Sequence, residues 1–280
     1  MRIKPNSIEM AKKYHRVLTI AGSDSGGGAG IQADIKTISA CGCYAMTAIT
    51  AITVQNTVGV IDVAGVEPSI IEGQIDAVLS DIGADSVKIG MLHSSDVVRS
   101  VAKMLRKHNV KNIVLDPVMV STSGHRLIEE EAINTLCEIL IPMATVITPN
   151  IPEAEILFGE KIPTQEGLPL VAQKLSERFN VSVYLKAGHL TDDNLIDIFY
   201  DNSQHRYFEL KTKRVYTQNT HGTGCTLSSA LASMLAKGYS LQESAEKAQA
   251  YIEGAIIEGA DYEIGHGHGP VAHFYKLWGK

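Results

Sequence analysis

Apolar and polar positions fall in blocks along this chain, and the period of the blocks alternates in a regular order. Val17-Leu18-Thr19-Ile20-Ala21-Gly22 is a near-continuous apolar run and predicts a buried strand, followed by a helical segment from Ile31 to Ala40. The β-branched stretch from Ala45 to Val54 predicts a second strand, and Val58 to Val66 an edge strand. Glu67-Pro68 starts a helix that runs to about Asp81. Strand Ser86 to Gly90, helix Ser95 to His108, strand Asn112 to Asp116, helix Glu129 to Leu140 and strand Thr145 to Thr148 continue the pattern. A strand over Val181 to Leu185 comes next, then an antiparallel ribbon of Leu195 to Tyr200 and Arg206 to Lys211, turning at Asp201-Asn202-Ser203. The small-residue run Leu227 to Ala236 and the segment Leu241 to about Gly259 close the chain as helices. Strands alternating with helices predict βαβ units, hence an α/β fold whose mainly parallel sheet is covered on both faces.

In such sheets ligands bind beyond the carboxyl ends of the strands. The glycine loop after the first strand, Gln55, Met91, Asp116 and Asn150 all fall at such ends. That loop, Ser23-Asp24-Ser25-Gly26-Gly27-Gly28-Ala29-Gly30, contains a formal G-x-G-x-x-A match at Gly28 to Ala33. The match lacks its context: the strand ends too early, and no acid lies between positions 47 and 57 to bind a ribose. No Lys-Ser or Lys-Thr follows the glycines, which excludes a Walker loop. A second glycine turn, Asn219-Thr220-His221-Gly222-Thr223-Gly224-Cys225-Thr226, opens directly into a helix. The free N–H groups and roughly half a positive charge at a helix N-terminus favour an anion, and the same field favours a thiolate at Cys225. A phosphate-handling turn with an ionisable group beside it is the expectation.

Other groups have two readings each. Asn150-Ile151-Pro152-Glu153 is a capping box in its own right; Asp116 and Glu153 at the same sheet edge would equally suit Mg²⁺, which keeps waters and uses one or two carboxylates. Gln55 offers an amide donor and acceptor to a heteroaromatic edge, or is a solvated loop residue. Lys186, before Ala187-Gly188-His189, is a solvated lysine or a compact positive charge for phosphates. His266 and His268 alternate with glycines and lack an acidic or cysteine partner nearby, which reads as a mobile loop rather than a metal site.

Composition narrows the class. The 280 residues are 45% apolar and 20% charged, enough for a sizeable core, with residues 1–15 read as an exposed extension and 16–280 as a single domain. A net charge of -6 disfavours nucleic acid or an anionic membrane as the main partner. No signal segment or spanning apolar run is evident, which implies a cytoplasmic protein. Cys41, Cys43, Cys137 and Cys225 are too sparse for a disulfide framework.

Taken together, residues 21–34, Gln55-Asn56-Thr57, Lys88-Ile89-Gly90-Met91, Asp116-Pro117-Val118-Met119, Thr148-Pro149-Asn150, Lys186-Ala187-Gly188-His189 and His221 to Thr226 resemble the hydroxymethylpyrimidine/phosphomethylpyrimidine kinases of thiamine biosynthesis. The resemblance spans about residues 16 to 275 and implies a three-layer α/β/α ribokinase-like fold. It implies ATP and Mg²⁺, with hydroxymethylpyrimidine and its monophosphate as substrates, and a homodimer. By the same resemblance, Gly22, Asp34, Gln55, Met91 and Val118 line the pyrimidine pocket, and Asp116, Asn150 and Glu153 organise Mg²⁺ and its waters. Lys186 with Thr223 and Gly224 meets the nucleotide, and Gly222 to Cys225 form an anion hole in which Cys225 stands where most sugar kinases of the superfamily have their catalytic Asp. Relatives commonly have Lys where this chain has His266. A pyridoxal kinase of the same superfamily, or a non-catalytic sensor of a vitamin precursor, are the competing readings.

Overall fold

The chain is seen in a computed structural model that describes residues 12–119 and 128–278. Most of the expected N-terminal extension, residues 1–11, lies outside the described residues. One nine-stranded sheet organises the rest: β1 (Arg16–Asp24), β2 (Tyr44–Gln55), β3 (Val60–Gly65), β4 (Ser86–Ile89), β5 (Ile113–Leu115), β6 (Val146–Ile147), β7 (Ser182–Leu185), β8 (Asn194–Asp201) and β9 (Arg206–Lys213). Their spatial order is β3-β2-β1-β4-β5-β6-β7-β8-β9. β2 through β7 in that order are parallel, while β3 at one end and β8 and β9 at the other run antiparallel. The order reverses at β1, whose Val17 pairs with Ala45 on one side and Ser86 on the other, so a crevice opens at the carboxyl ends there.

The helices are α1 (Gly30–Ala40), α2 (Pro68–Asp81), α3 (Ser95–Lys107), α4 (Glu130–Thr135), α5 (Ile151–Phe158), α6 (Leu168–Phe179), α7 (Thr223–Ala236) and α8 (Leu241–Gly259). Side chains alternate faces along a strand, and here both faces are buried. Leu18, Ile20, Val87, Ile89 and Leu115 enter a core shared with Ile75 of α2, Leu105 of α3 and Leu175 of α6. Val17, Val114, Val146 and Tyr184 enter the other, with Ile38 of α1, Leu231 of α7 and Ala248 of α8. Three layers result, as the resemblance implies.

Local chemistry sets the boundaries. Ser94 accepts the Val97 N–H to start α3, and Ser240 pairs with Glu243 in a capping box on α8. The strand and helix pattern holds, with two differences. The expected helix Glu129 to Leu140 is α-helical only over Glu130–Thr135; a π turn follows at Leu136–Leu140, before Pro142, which has no N–H to extend the ladder. The sequence pattern assigns no element between Glu153 and Val181, yet α6 lies there; its Pro169 sits in the first turn, where a missing N–H is harmless. Among the described residues no helix is long and apolar enough to cross a membrane.

Candidate active site

A cavity of about 650 Å³ runs across the carboxyl edge of the sheet. At the β1–β2 end it is lined by Gly22, Gln55, Met91 and Val118; at the β8–β9 end by Leu195, Thr212, Val215, Ile252 and Ile256. Asp116, Lys186 and the turn Gly222 to Cys225 stand between. The cavity therefore joins a pocket at the β1–β2 end to an apolar slot at the other end across a charged middle.

Two glycine loops meet over the pocket at the β1–β2 end. Asp24, at the end of β1, accepts the backbone N–H groups of Gly26 (2.8 Å), Gly28 (3.1 Å) and Ala29 (2.8 Å), which closes the first loop around one carboxylate. Gly222, at φ +78°, belongs to the second; a Cβ there would collide with the carbonyl oxygen of Gly28. Glycine is required both for this left-handed backbone and for the close approach. Beneath the loops, Met91 packs its methyl group over Gly22, so that a side chain at position 22 would displace it.

The charged middle is built from buried groups. Lys186, just past β7, donates to Asp116 Oδ1 at 3.0 Å, and Thr148 donates to the same oxygen at 2.9 Å. Burial opposes the charge on both partners. Each still holds it: Asp116 is kept below the usual carboxylate range by Lys186 and Lys88, and Lys186 above the usual ammonium range by Asp116 and Glu153. Gly224 leaves room for the ammonium, since a Cβ at that position would lie 3.2 Å from Lys186 Nζ. α7 begins with no side-chain cap, which leaves the helix N-terminus free to receive an anion.

Asn150 and Glu153 form the capping box that the sequence pattern suggests: Glu153 N–H donates to Asn150 Oδ1 at 2.9 Å, and Asn150 N–H to Glu153 Oε2 at 2.8 Å. Burial pushes the Glu153 carboxyl up to about 7; Lys186 opposes the rise and Asp116 adds to it. Structural and chemical readings of this pair coincide in one place, since both residues also line the cavity.

Two expectations are corrected. Asp34 does not face the cavity: it is wholly buried under it, accepting from Lys88 Nζ at 2.9 and 3.0 Å, Thr19 Oγ1 at 2.6 Å and Ser229 Oγ at 2.7 Å. Its acceptor capacity is taken up by a buried cation and two buried hydroxyls, and it is Lys88 that reaches the cavity wall. Nor is the Cys225 thiolate favoured. Burial pushes the thiol up to about 11; Lys88 and the Gly30 N–H pull it down, while Asp34 and Asp116 push it further. The helix terminus is outweighed by desolvation and two nearby carboxylates.

The late loop is held in place: Gly267 N–H donates to Thr57 Oγ1 at 3.2 Å and His268 N–H to the Thr57 carbonyl at 2.8 Å. Neither His266 nor His268 lines the cavity, and among the described residues no three side chains of His, Cys, Asp or Glu are grouped so as to hold a metal ion. Asp24, Lys88, Asp197 and His221 are cavity residues that sequence reasoning does not assign roles. Lys88 had a signal, a lone charge within an apolar strand. Asp197 had none, being one acid on an edge ribbon; in space it accepts the Ala187 N–H at 2.7 Å and the Tyr184 hydroxyl at 3.2 Å.

A helix N-terminus behind a glycine turn, facing a lysine at the edge of a three-layer sheet, suits transfer of a phosphoryl group to a small molecule, and the architecture is that of the ribokinase-like kinases. Comparisons with known proteins narrow this. Residues 24–272 match the family model described as phosphomethylpyrimidine kinase, and the chain belongs to that family. It is 45% identical over 262 residues to the hydroxymethylpyrimidine/phosphomethylpyrimidine kinase of Rhizobium meliloti, covering 93% of this chain and 97% of that protein. It is also 45% identical over 258 residues to the thiamine biosynthesis bifunctional protein ThiED of Geobacter sulfurreducens, covering 92% of this chain but only 52%, about half, of that longer relative. In three dimensions it is similar to an ADP complex of pyridoxal kinase from Bacillus subtilis, with TM-score 0.87 and 35% identity, covering 95% of this chain and all of that one.

Proposed function

We propose that this chain, as one catalytic domain, transfers the γ-phosphoryl group of ATP to the hydroxymethyl oxygen of 4-amino-5-hydroxymethyl-2-methylpyrimidine, and then a second one to the resulting monophosphate. The observation that carries this reading is the single cavity in which the pocket of Gln55, Met91 and Val118 opens onto Lys186 and the N-terminus of α7. The apolar slot between Val215 and Ile256 receives the nucleotide base. The phosphates then lie along Thr223, Gly224 and Lys186.

In each transfer an oxygen of the substrate forms a bond to the γ-phosphorus as the bond to the leaving ADP oxygen breaks. Such a step needs alignment and charge neutralisation more than covalent chemistry. Lys186 and the N–H groups of Gly222 to Cys225 supply fixed positive charge. Asp116, Asn150 and Glu153 suit Mg²⁺: two buried carboxylates and a carboxamide line the same stretch of the cavity and offer the oxygen donors that a hard cation takes. One oxygen of each already accepts a hydrogen bond, so these residues would hold the ion through its waters, and it would supply neutralisation of phosphate charge. An alcohol must lose a proton, and Cys225, which lines the same cavity, takes it as thiolate. A phosphate monoester, with second pKa about 6, has already lost its own.

The test is an ATP-dependent product assay that follows mono- and diphosphate formation from hydroxymethylpyrimidine. Formation of neither product overturns the reading. A pyridoxal kinase activity is the second reading, favoured by the structural similarity to the Bacillus subtilis enzyme. Turnover of the two alcohols side by side decides between them.

We further propose a homodimer. Ile52 and Val54 alternate on one face of β2 and Ile61 is 73% exposed on edge strand β3, an apolar ribbon that a second copy would cover.

A further inference from the structure

The two glycine loops are joined by a side-chain cluster that phosphoryl transfer does not use. His221 Nε2 lies 2.9 Å from Asp24 Oδ2 and 3.2 Å from Nε2 of the Gln55 amide. The other end of that amide lies 3.2 Å from Thr53 Oγ1, which donates to the Ser23 carbonyl at 2.9 Å. Burial works to raise the Asp24 carboxyl, but hydrogen bonds from His221, Ala29 and Gly26 outweigh it and hold it below its ordinary range. Asp24 is therefore an acceptor only, and His221 Nε2 must carry the proton between them. With the Gln55 nitrogen turned to His221, two donors would face each other. The two ends of an amide are nearly alike in shape, so the donor chain decides its orientation. It places the Gln55 oxygen against His221, whose one Nε2–H is then shared between Asp24 and Gln55, and the nitrogen against Thr53, whose own proton is committed to Ser23.

Two of the four hydrogen-bonding positions of Gln55 are then used. One N–H and one oxygen lone pair remain for a ligand in the cavity that Gln55 lines. A 4-aminopyrimidine edge, with a ring-nitrogen acceptor beside an amino donor, matches that pair. The corresponding pyrimidin-4-one, with a ring N–H beside a carbonyl, presents the reverse and would match only an amide turned end for end.

We propose that His221 is a specificity-determining positioning residue: anchored by Asp24, it locks the Gln55 amide in one orientation, so that the cavity accepts an aminopyrimidine edge and rejects the pyrimidinone. The inference rests on the pyrimidine substrate proposed above. It differs from simple loop bracing, although His221 also lies against Gly28 and so braces the loops.

The experiment measures, by calorimetry without ATP, the binding of 4-amino-5-hydroxymethyl-2-methylpyrimidine and of its 4-oxo counterpart. The parent enzyme is expected to favour the amino ring by about a hundredfold or more, because the wrong ring leaves buried polar groups unpaired. In His221→Leu the amide is free to turn, and the ratio narrows to below about tenfold. In His221→Gln, which restores an N–H donor, most of the discrimination returns. A His221→Leu ratio equal to the parent's, with both rings weakened together, would show bracing alone and overturn the proposal. So would a parent that binds the two rings equally, an outcome that needs no variant to fold. Turnover with ATP is scored separately: a chain that discriminates the rings yet transfers no phosphoryl group loses the kinase reading and keeps this one.

Discussion

The thiol of Cys225 is the third residue of α7, where the helix field favours an anion, and yet it is pushed up to about 11. The proton-accepting form is consequently a small fraction at neutral pH and grows about tenfold per pH unit below the thiol's own value. If Cys225 takes the alcohol proton, the first transfer should speed up between pH 7 and 9 while the second does not, and Cys225→Ala should abolish that rise. Separately assayed rates of the two transfers check this; equal losses in both would assign Cys225 to the anion hole instead. Asp197 carries a second residue-scale prediction. Burial raises its carboxyl from 3.8 to about 6 in the folded chain, against the opposing hydrogen bonds from Ala187 and Tyr184. A proton bound more tightly in the folded state stabilises it below 3.8, and that contribution is lost as pH rises through about 6. Asp197→Asn can keep the Ala187 contact without titrating. Its melting temperature should therefore fall less steeply than the parent's across that window, as calorimetry at a series of pH values would show.

Among the elements, the two glycine turns do most to shape the site, and they work as one. Gly222 has φ +78° and its α-carbon faces the Gly28 carbonyl, so Gly222→Ala adds a strained left-handed alanine and a steric overlap at once. The expected result is a loss of at least about 2 kcal/mol of stability together with a raised KM for ATP. Denaturant unfolding and steady-state kinetics measure the two effects. Parent-like values for both would mean that the loops can separate without consequence. The small residues of α7 have a similar logic: Ser229 and Ser228 let the helix lie close enough to α1 and to the end of β5 to hydrogen-bond Asp34 at 2.7 Å and Asp116 at 3.4 Å. A stripe that reads in sequence as plain helix former thus supports two buried carboxylates.

At the scale of the molecule, the sheet places its parallel strands centrally and leaves an antiparallel ribbon at each end. The β8–β9 ribbon forms one wall of the apolar slot through Leu195 and Thr212. The β2–β3 ribbon is uncovered, with apolar side chains and an unpaired edge that invite association. Sedimentation velocity should show the parent as a dimer and Ile52→Lys/Val54→Lys as a monomer. A parent that sediments as a monomer at micromolar concentration would remove the proposal.

The order of strands and helices was legible along the chain because burial on both faces makes parallel strands near-continuous apolar runs, and because capping signals such as Asn150 to Glu153 act within a few residues. Both glycine turns were legible for the same reason: a left-handed or crowded backbone leaves its mark in local composition. The pairing of Asp34 with Lys88 was not, since a carboxylate and an ammonium 54 residues apart become a buried pair only when α1 is laid on the sheet. The protonation of Cys225 and the partnership of His221 with Asp24 and Gln55 likewise depend on distances between segments remote in sequence. Local backbone preference and hydrophobic period are properties of short stretches, so the sequence alone determined most of the elements and both glycine loops. Desolvation and hydrogen-bond direction are properties of what surrounds a group, and only the tertiary structure decided which of those residues face the cavity, and in what charge state.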